Sequence, residues 1–173
     1  LGHIVLMVRD IHKSAKFYTE VLGLEVSDWI GENMVFLRAG EDHHDLALAQ
    51  LPADSPDMND LPRYSRPGLE HFSYLIDSVE EMERSVRVLQ AHGVEIVRGI
   101  GRHGPGDNFF LVFKDPDGNN VEVYCDMTQI DQDGTHEAEV WERNLESFDQ
   151  YRLERFVVPP PPHLLASKTG KSS

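Results

Sequence analysis

The chain has 173 residues, enough for one domain or for two small modules that share a core. Hydrophobic residues make up 40% of it, and no run approaches the roughly 18 uninterrupted apolar residues of a membrane span. A formal net charge of -14 argues against nucleic acid or an anionic membrane surface as partner, because phosphate contacts need clustered Lys and Arg.

The opening run, Gly2-His3-Ile4-Val5-Leu6-Met7-Val8, alternates in polarity and predicts a half-buried strand. A helix follows from about Ile11 to Val21, with Phe17 and Val21 at helical spacing and Gly23 as its stop. Three strands are expected next, at Leu24 to Trp29, Met34 to Arg38, and Asp45 to Gln50. After a polar, proline-bearing stretch from Pro52 to Pro67 the same order returns. Glu70 to Ile76 alternates like the first strand. Val79 to Ala91 has helical periodicity, with Met82, Val86, Leu89 and Gln90 along one side, and Gly93 ends it. Strands are then expected at Val94 to Gly99, Asn108 to Phe113, and Asn120 to Cys125. Even a local phrase recurs, Gly23-Leu24-Glu25-Val26 against Gly93-Val94-Glu95-Ile96.

An internal repeat of strand, helix and three strands implies an α+β fold in which two βαβββ modules pair. Each module alone exposes the inner face of a small sheet, so the pair is expected to form a curved, barrel-like sheet around a cleft. Residues 1–126 then form one domain, with module one at 1–51, a linker at 52–67 and module two at 68–126. A C-terminal extension covers 127–158. Within it residues 137–156 are expected to be helical, with Trp141, Leu145 and Phe148 along one face. That helix either docks on the body or another subunit, or forms a lid. The last segment, 159–173, opens on Pro159-Pro160-Pro161-Pro162 and is expected to be an extended, disordered tail.

Cys125 is the single cysteine, so no internal disulfide forms, and no apolar leader with a small-residue cleavage site opens the sequence. Both features lead to the expectation of a reducing, cytoplasmic setting. Nine histidines against one cysteine direct any metal toward nitrogen and oxygen ligands. His3 and His71 occupy the same place in the two modules. Alternation sets His3, Val5 and Met7 on one face and His71, Ser73 and Leu75 on the matching face. Related by a twofold axis, both imidazoles would point into the shared cleft. Glu122 lies in an otherwise apolar strand, where a carboxylate is costly unless paired or metal-bound. The residues alone also allow a strand face open to water, with Glu122 and Tyr124 exposed.

Aligning the fourth strands sets Ala47 opposite Glu122, so a fourth protein ligand is missing. Two histidines and one carboxylate with open positions form the pattern of non-haem iron(II) oxygenases, and manganese shares those ligand preferences. A structural zinc site would fill its fourth position with protein.

Gly101-Arg102-His103, then Leu111, then Asp115-Pro116-Asp117-Gly118, then Glu122 resembles the signature of the type I extradiol catechol dioxygenases within the vicinal oxygen chelate superfamily. The resemblance covers roughly residues 1–126 and suggests a single-domain form or a fragment. It implies iron(II) held by His3, His71 and Glu122. It makes His44 the acid and base near the oxygen site, and His103 a hydrogen-bonding partner of a substrate oxygen. Read without it, His43 and His44 fit a solvated turn and His103 a polar loop. The implied reaction is extradiol cleavage of a catechol by dioxygen, giving a muconic semialdehyde, in a homo-oligomer. Val112 departs from the pattern, which usually has a tyrosine there. Two other readings stay open. One is a metal-dependent isomerase, epimerase or thiol transferase, chemistries that commonly use a fourth protein ligand. The other is a non-catalytic small-molecule binding protein.

Overall fold

The computed structural model describes residues 1–53 and 67–150. Module one contains β1 (Ile4–Val8), α1 (Ile11–Glu20), β2 (Glu25–Ile30), β3 (Met34–Arg38) and β4 (Leu46–Gln50). Module two repeats it with β5 (Gly68–Leu75), α2 (Val79–Ala91), β6 (Ile96–Arg102), β7 (Phe109–Lys114) and β8 (Asn120–Cys125). One sheet carries all of these strands in the order β6-β7-β8-β5-β1-β4-β3-β2, with β9 (Glu139–Trp141) added beside β2. From the centre outward, each half runs first strand, fourth, third, second. The halves are thus related by a local twofold between β1 and β5.

The helices begin and end alike. Asp10 accepts a hydrogen bond from the Lys13 amide and Ser78 from the Glu81 amide, satisfying amides that have no partner within the helix. Both helices stop at a glycine with positive φ, Gly23 at 75° and Gly93 at 67°, a conformation that side chains with a Cβ resist.

Alternation along the strands separates two faces. In β3 and β4, Val35, Leu37, Leu46 and Leu48 pack against Ile11 and Ala15 of α1. Phe36 and Ala47 between them point to the opposite, concave side, with Val5 and Ile30. In the second half Met82 and Val86 of α2 cover Ile100, Leu111 and Cys125. The helical stripes differ in detail from the sequence expectation. Ile11, Ala15 and the partly buried Tyr18 face the sheet, whereas Phe17 and Val21 are 50% and 65% exposed. Gln90 is likewise exposed, and Leu75 stands outside at the end of β5.

The continuous helix expected over 137–156 does not form. Residues 139–141 add to the sheet as β9, parallel to β2, and α3 (Leu145–Phe148) is a single turn capped by Asn144. The β2 edge offers unpaired backbone groups that β9 satisfies, and this tertiary pairing overrides the helical spacing. Trp141 and Phe148 pack on the concave cluster of the first half, so the segment docks on the body. The rest of that expected helix, the tail at 159–173 and most of the linker lie outside the described residues. No helix among the described residues is long and apolar enough to cross a membrane.

Leu48 is fully buried between α1 and the sheet. Leu48→Ala should therefore cost about 2–5 kcal/mol in urea unfolding, while Val21→Ala should stay within about 0.5 kcal/mol.

Candidate metal centre

The site grows out of the central strand pairings. In the antiparallel β1–β5 pair Val5 lies opposite His71, and the Ser73 amide donates to the His3 carbonyl at 2.9 Å. Each first strand then pairs in parallel with its own fourth strand, Val5 beside Ala47 and Ser73 beside Glu122. Since His3 precedes Val5 by two residues and His71 precedes Ser73 by two, Ala47 is the counterpart of Glu122. One ligand atom from each of His3, His71 and Glu122 lies within 4.8 Å of the others.

His3 Nε2 is 3.1 Å from Glu122 Oε1, and His71 Nε2 is 3.7 Å from Glu122 Oε2. Ser73 Oγ donates to Glu122 Oε1 at 3.0 Å and lies 2.8 Å from His3 Nε2. On its other edge, His71 Nδ1 is hydrogen-bonded to the Glu70 carboxylate, which also accepts from Asn120 Nδ2 at 3.1 Å. With Nδ1 so committed, Nε2 of His71 is its remaining nitrogen. That atom and Glu122 Oε2 are buried without a hydrogen-bond partner. A carboxylate behind the imidazole and unsatisfied donor atoms in front of it suit a cation between them.

Glu122 is 0% exposed and Tyr124 1%, so this strand face is not open to water. Tyr124 lies tilted against the His3 ring, at 4.8 Å between centroids, and leaves no room for a side chain at Gly2, where a Cβ would fall 2.2 Å from its ring. Burial pushes the Glu122 carboxyl up, but His71 and His3 outweigh it and hold the group well below the usual carboxylate range. Burial pulls His71 down, yet Glu70 and Glu122 outweigh it, and its imidazole lies above the ordinary value.

A cavity of about 450 Å³ opens in front of these residues. His44 and His103 both line it, as do Val5, Met34, Phe36, Val112 and Phe148. His44 is buried against the rings of His3 and Phe36, at 4.5 and 5.0 Å. Burial, reinforced by His3 and His43, lowers it far below the usual imidazole value, so it is neutral. His43 is also buried, so the pair is not a solvated turn. His103 stacks on Phe110 at 4.1 Å, and its Nδ1–H donates to the Phe148 carbonyl. Burial and the nearby Arg98 lower His103 to about 3, which leaves its Nε2 as a hydrogen-bond acceptor. Behind them Asp115 to Gly118 forms the tight β7–β8 turn, with the Gly118 amide donating to the Asp115 carbonyl.

Glu70, Ser73, Asn120 and Asp28 complete the surroundings and were not singled out from the sequence. Strict alternation sends Glu70 and His71 to opposite faces. A bulge decides otherwise: Val5 pairs with His71 and Leu6 with Leu69, so Glu70 is the extra residue and its side chain turns toward His71. Ser73 carried a legible signal, two residues after His71 on the same face.

Residues 1–123 match the Glyoxalase/Bleomycin resistance protein/Dioxygenase superfamily. The chain belongs to this superfamily. Among its relatives is the catechol-2,3-dioxygenase of Bacillus subtilis (strain 168), 28% identical over 140 residues, which are 79% of this chain and 46% of that protein. Mitochondrial methylmalonyl-CoA epimerase of Mus musculus is 29% identical over 128 residues, 71% of each chain. The Mn(II)-bound glyoxalase from Novosphingobium aromaticivorans superposes with a TM-score of 0.78 at 33% identity, over 95% of this chain and 48% of that one. The chain thus spans just under half the length of the dioxygenase and the glyoxalase.

Removing one of the two carboxylates that raise His71 should be visible directly. In chelator-treated protein, Glu122→Gln should lower the His71 titration midpoint measured by NMR. An unchanged midpoint would mean that Glu70 alone sets it.

Proposed function

We propose that the chain binds a divalent metal through His3, His71 and Glu122 and cleaves a catechol ring beside its hydroxyl groups with dioxygen. The observation that carries this reading is the buried cluster of two imidazoles and one carboxylate with Ala47, fully buried, in the position of a fourth ligand. The donor set suits iron(II), and manganese shares it. When bound, the metal would supply charge to favour the deprotonated catechol and a redox-active meeting point for substrate and dioxygen.

The remaining work falls to this chain's own side chains. Glu70 would hold His71 with its Nε2 free, and Ser73 would hold the Glu122 carboxylate by its hydrogen bond. His44, neutral in the cavity wall, would take a proton from a catechol hydroxyl and return it as the ring opens. His103 Nε2 would accept a hydrogen bond from the substrate and fix its orientation. The apolar wall of Val5, Met34, Phe36 and Phe148 would keep water from the reacting atoms. Val112 lines this cavity and supplies no donor where the family's tyrosine would. Both atoms of dioxygen would end in the product, a muconic semialdehyde. The alternative of epimerisation or isomerisation is supported by the similarity to methylmalonyl-CoA epimerase. Ala47 weighs against it, because a methyl group replaces the fourth ligand such chemistry commonly uses.

Full-length protein loaded anaerobically with iron(II), then given catechols and air, should consume oxygen and form a yellow ring-fission product. Glu122→Ala should abolish metal retention and turnover together. His44→Ala should retain metal but lose about 10²–10⁴-fold in kcat. Absence of a coloured product from several catechols at full metal loading would reject the dioxygenase reading. Oxygen uptake would separate it from epimerisation.

A further inference from the structure

Behind His44 runs a chain of buried groups that none of the chemistry above uses. His43 Nδ1 lies 3.0 Å from His44 Nδ1, and His43 Nε2 lies 3.1 Å from Asp28 Oδ2. Asp28 also accepts from the Glu139 amide at 2.7 Å and from Trp141 Nε1 at 3.0 Å. All three of Asp28, His43 and His44 are no more than 6% exposed. Asp28 and His43 line a separate cavity of about 490 Å³, whereas His44 lines the one in front of the metal ligands.

We propose that Asp28, acting through His43, determines which nitrogen of His44 carries its proton and so leaves the Nε2 lone pair for the substrate. Asp28 is a positioning residue in this arrangement, and the inference rests on the catalytic reading of His44 given above. A carboxylate that accepts from an amide and an indole has no proton to give, so the proton in the Asp28–His43 contact sits on His43 Nε2. Carrying that one proton, His43 offers only a lone pair at Nδ1. The contact between the two Nδ1 atoms is a hydrogen bond only if His44 donates, which makes His44 the Nδ1–H tautomer. Its Nε2 is unprotonated, the form a general base requires. Burial raises the Asp28 carboxyl, but the hydrogen bonds from His43 and the Glu139 amide outweigh it and keep the group ionised, in agreement with this polarity.

The fold puts Asp28 there by a bulge. In β2 Val26 pairs with Leu37 but Asp28 pairs with Phe36, so Ser27 is the extra residue. Without it, alternation would turn Asp28 to the α1 side with Val26. With it, Asp28 shares the side of Phe36, whose ring lies 5.5 Å from that of His43.

The test reads the proton itself. Ring-nitrogen NMR on the full chain, as purified and after loading with diamagnetic zinc, should find His43 as Nε2–H and His44 as Nδ1–H. Asp28→Asn can donate from its amide to His43, which should reverse the chain and convert His44 to Nε2–H. With iron(II) the same variant should lose about 10²–10⁴-fold in kcat, with metal content and KM unchanged, as expected when a general base is held in the wrong tautomer. Finding His44 as Nε2–H in the unaltered protein overturns the inference, whether or not the variant folds. So does an Asp28→Asn protein whose His44 keeps Nδ1–H. The tautomer is measured without turnover. A protein with the expected tautomers that cleaves no catechol would therefore remove the dioxygenase reading alone.

Discussion

Antiparallel pairing of β1 with β5 holds the two modules edge to edge and fixes His3, Val5, His71 and Ser73 in one register. Everything in the centre follows from that contact. It makes one sheet of two short ones, and it lets the inner faces, unsatisfied in an isolated module, cover a common cavity. A slip of one residue would turn each histidine to the opposite face, so the site exists only while the register does.

The second constraint is electrostatic. Glu122 is a carboxylate with no access to water, and an unpaired charge in that position would cost several kcal/mol. His3, His71 and Ser73 offset part of the cost, yet Oε2 remains without a hydrogen-bond partner. The other half of the molecule shows what the same fold does without that charge. There Ala47 packs with Val5, Ile30 and Phe36 in an ordinary apolar cluster. The twofold is therefore structural but not chemical: one half provides a fourth strand that bears a buried carboxylate, the other a wall.

Departures from symmetry do much to give the site its form. Bulges at Glu70 and Ser27 each turn an acidic side chain against an imidazole, Glu70 to His71 and Asp28 to His43. The C-terminal segment adds a strand at the β2 edge, ties Trp141 to Asp28 and gives the cavity Phe148 as part of its wall. The Phe148 carbonyl holds His103. Residues beyond the two modules thus help to complete the surroundings of both histidines in the cavity wall.

Much of this was legible in the sequence by itself. Polarity alternation and helical spacing located the repeated strands and helices, since each module's pattern is dictated by its own local geometry and burial. The repeat also announced that His3 and His71 are counterparts and that Ala47 faces the place of Glu122, because parallel pairing of first and fourth strands preserves offsets along the chain. What only the tertiary structure decided are contacts that break a period. Glu70 and Asp28 sit on the wrong faces by alternation, and a bulge cannot be seen without the partner strand. The stripe of Trp141, Leu145 and Phe148 fits a helix, yet residues 139–141 became a strand because an unpaired sheet edge was available. His43 looked like part of a polar turn, and only packing against Phe36 and Asp28 buried it. Local propensity is written residue by residue, whereas these outcomes depend on which distant backbone lies alongside.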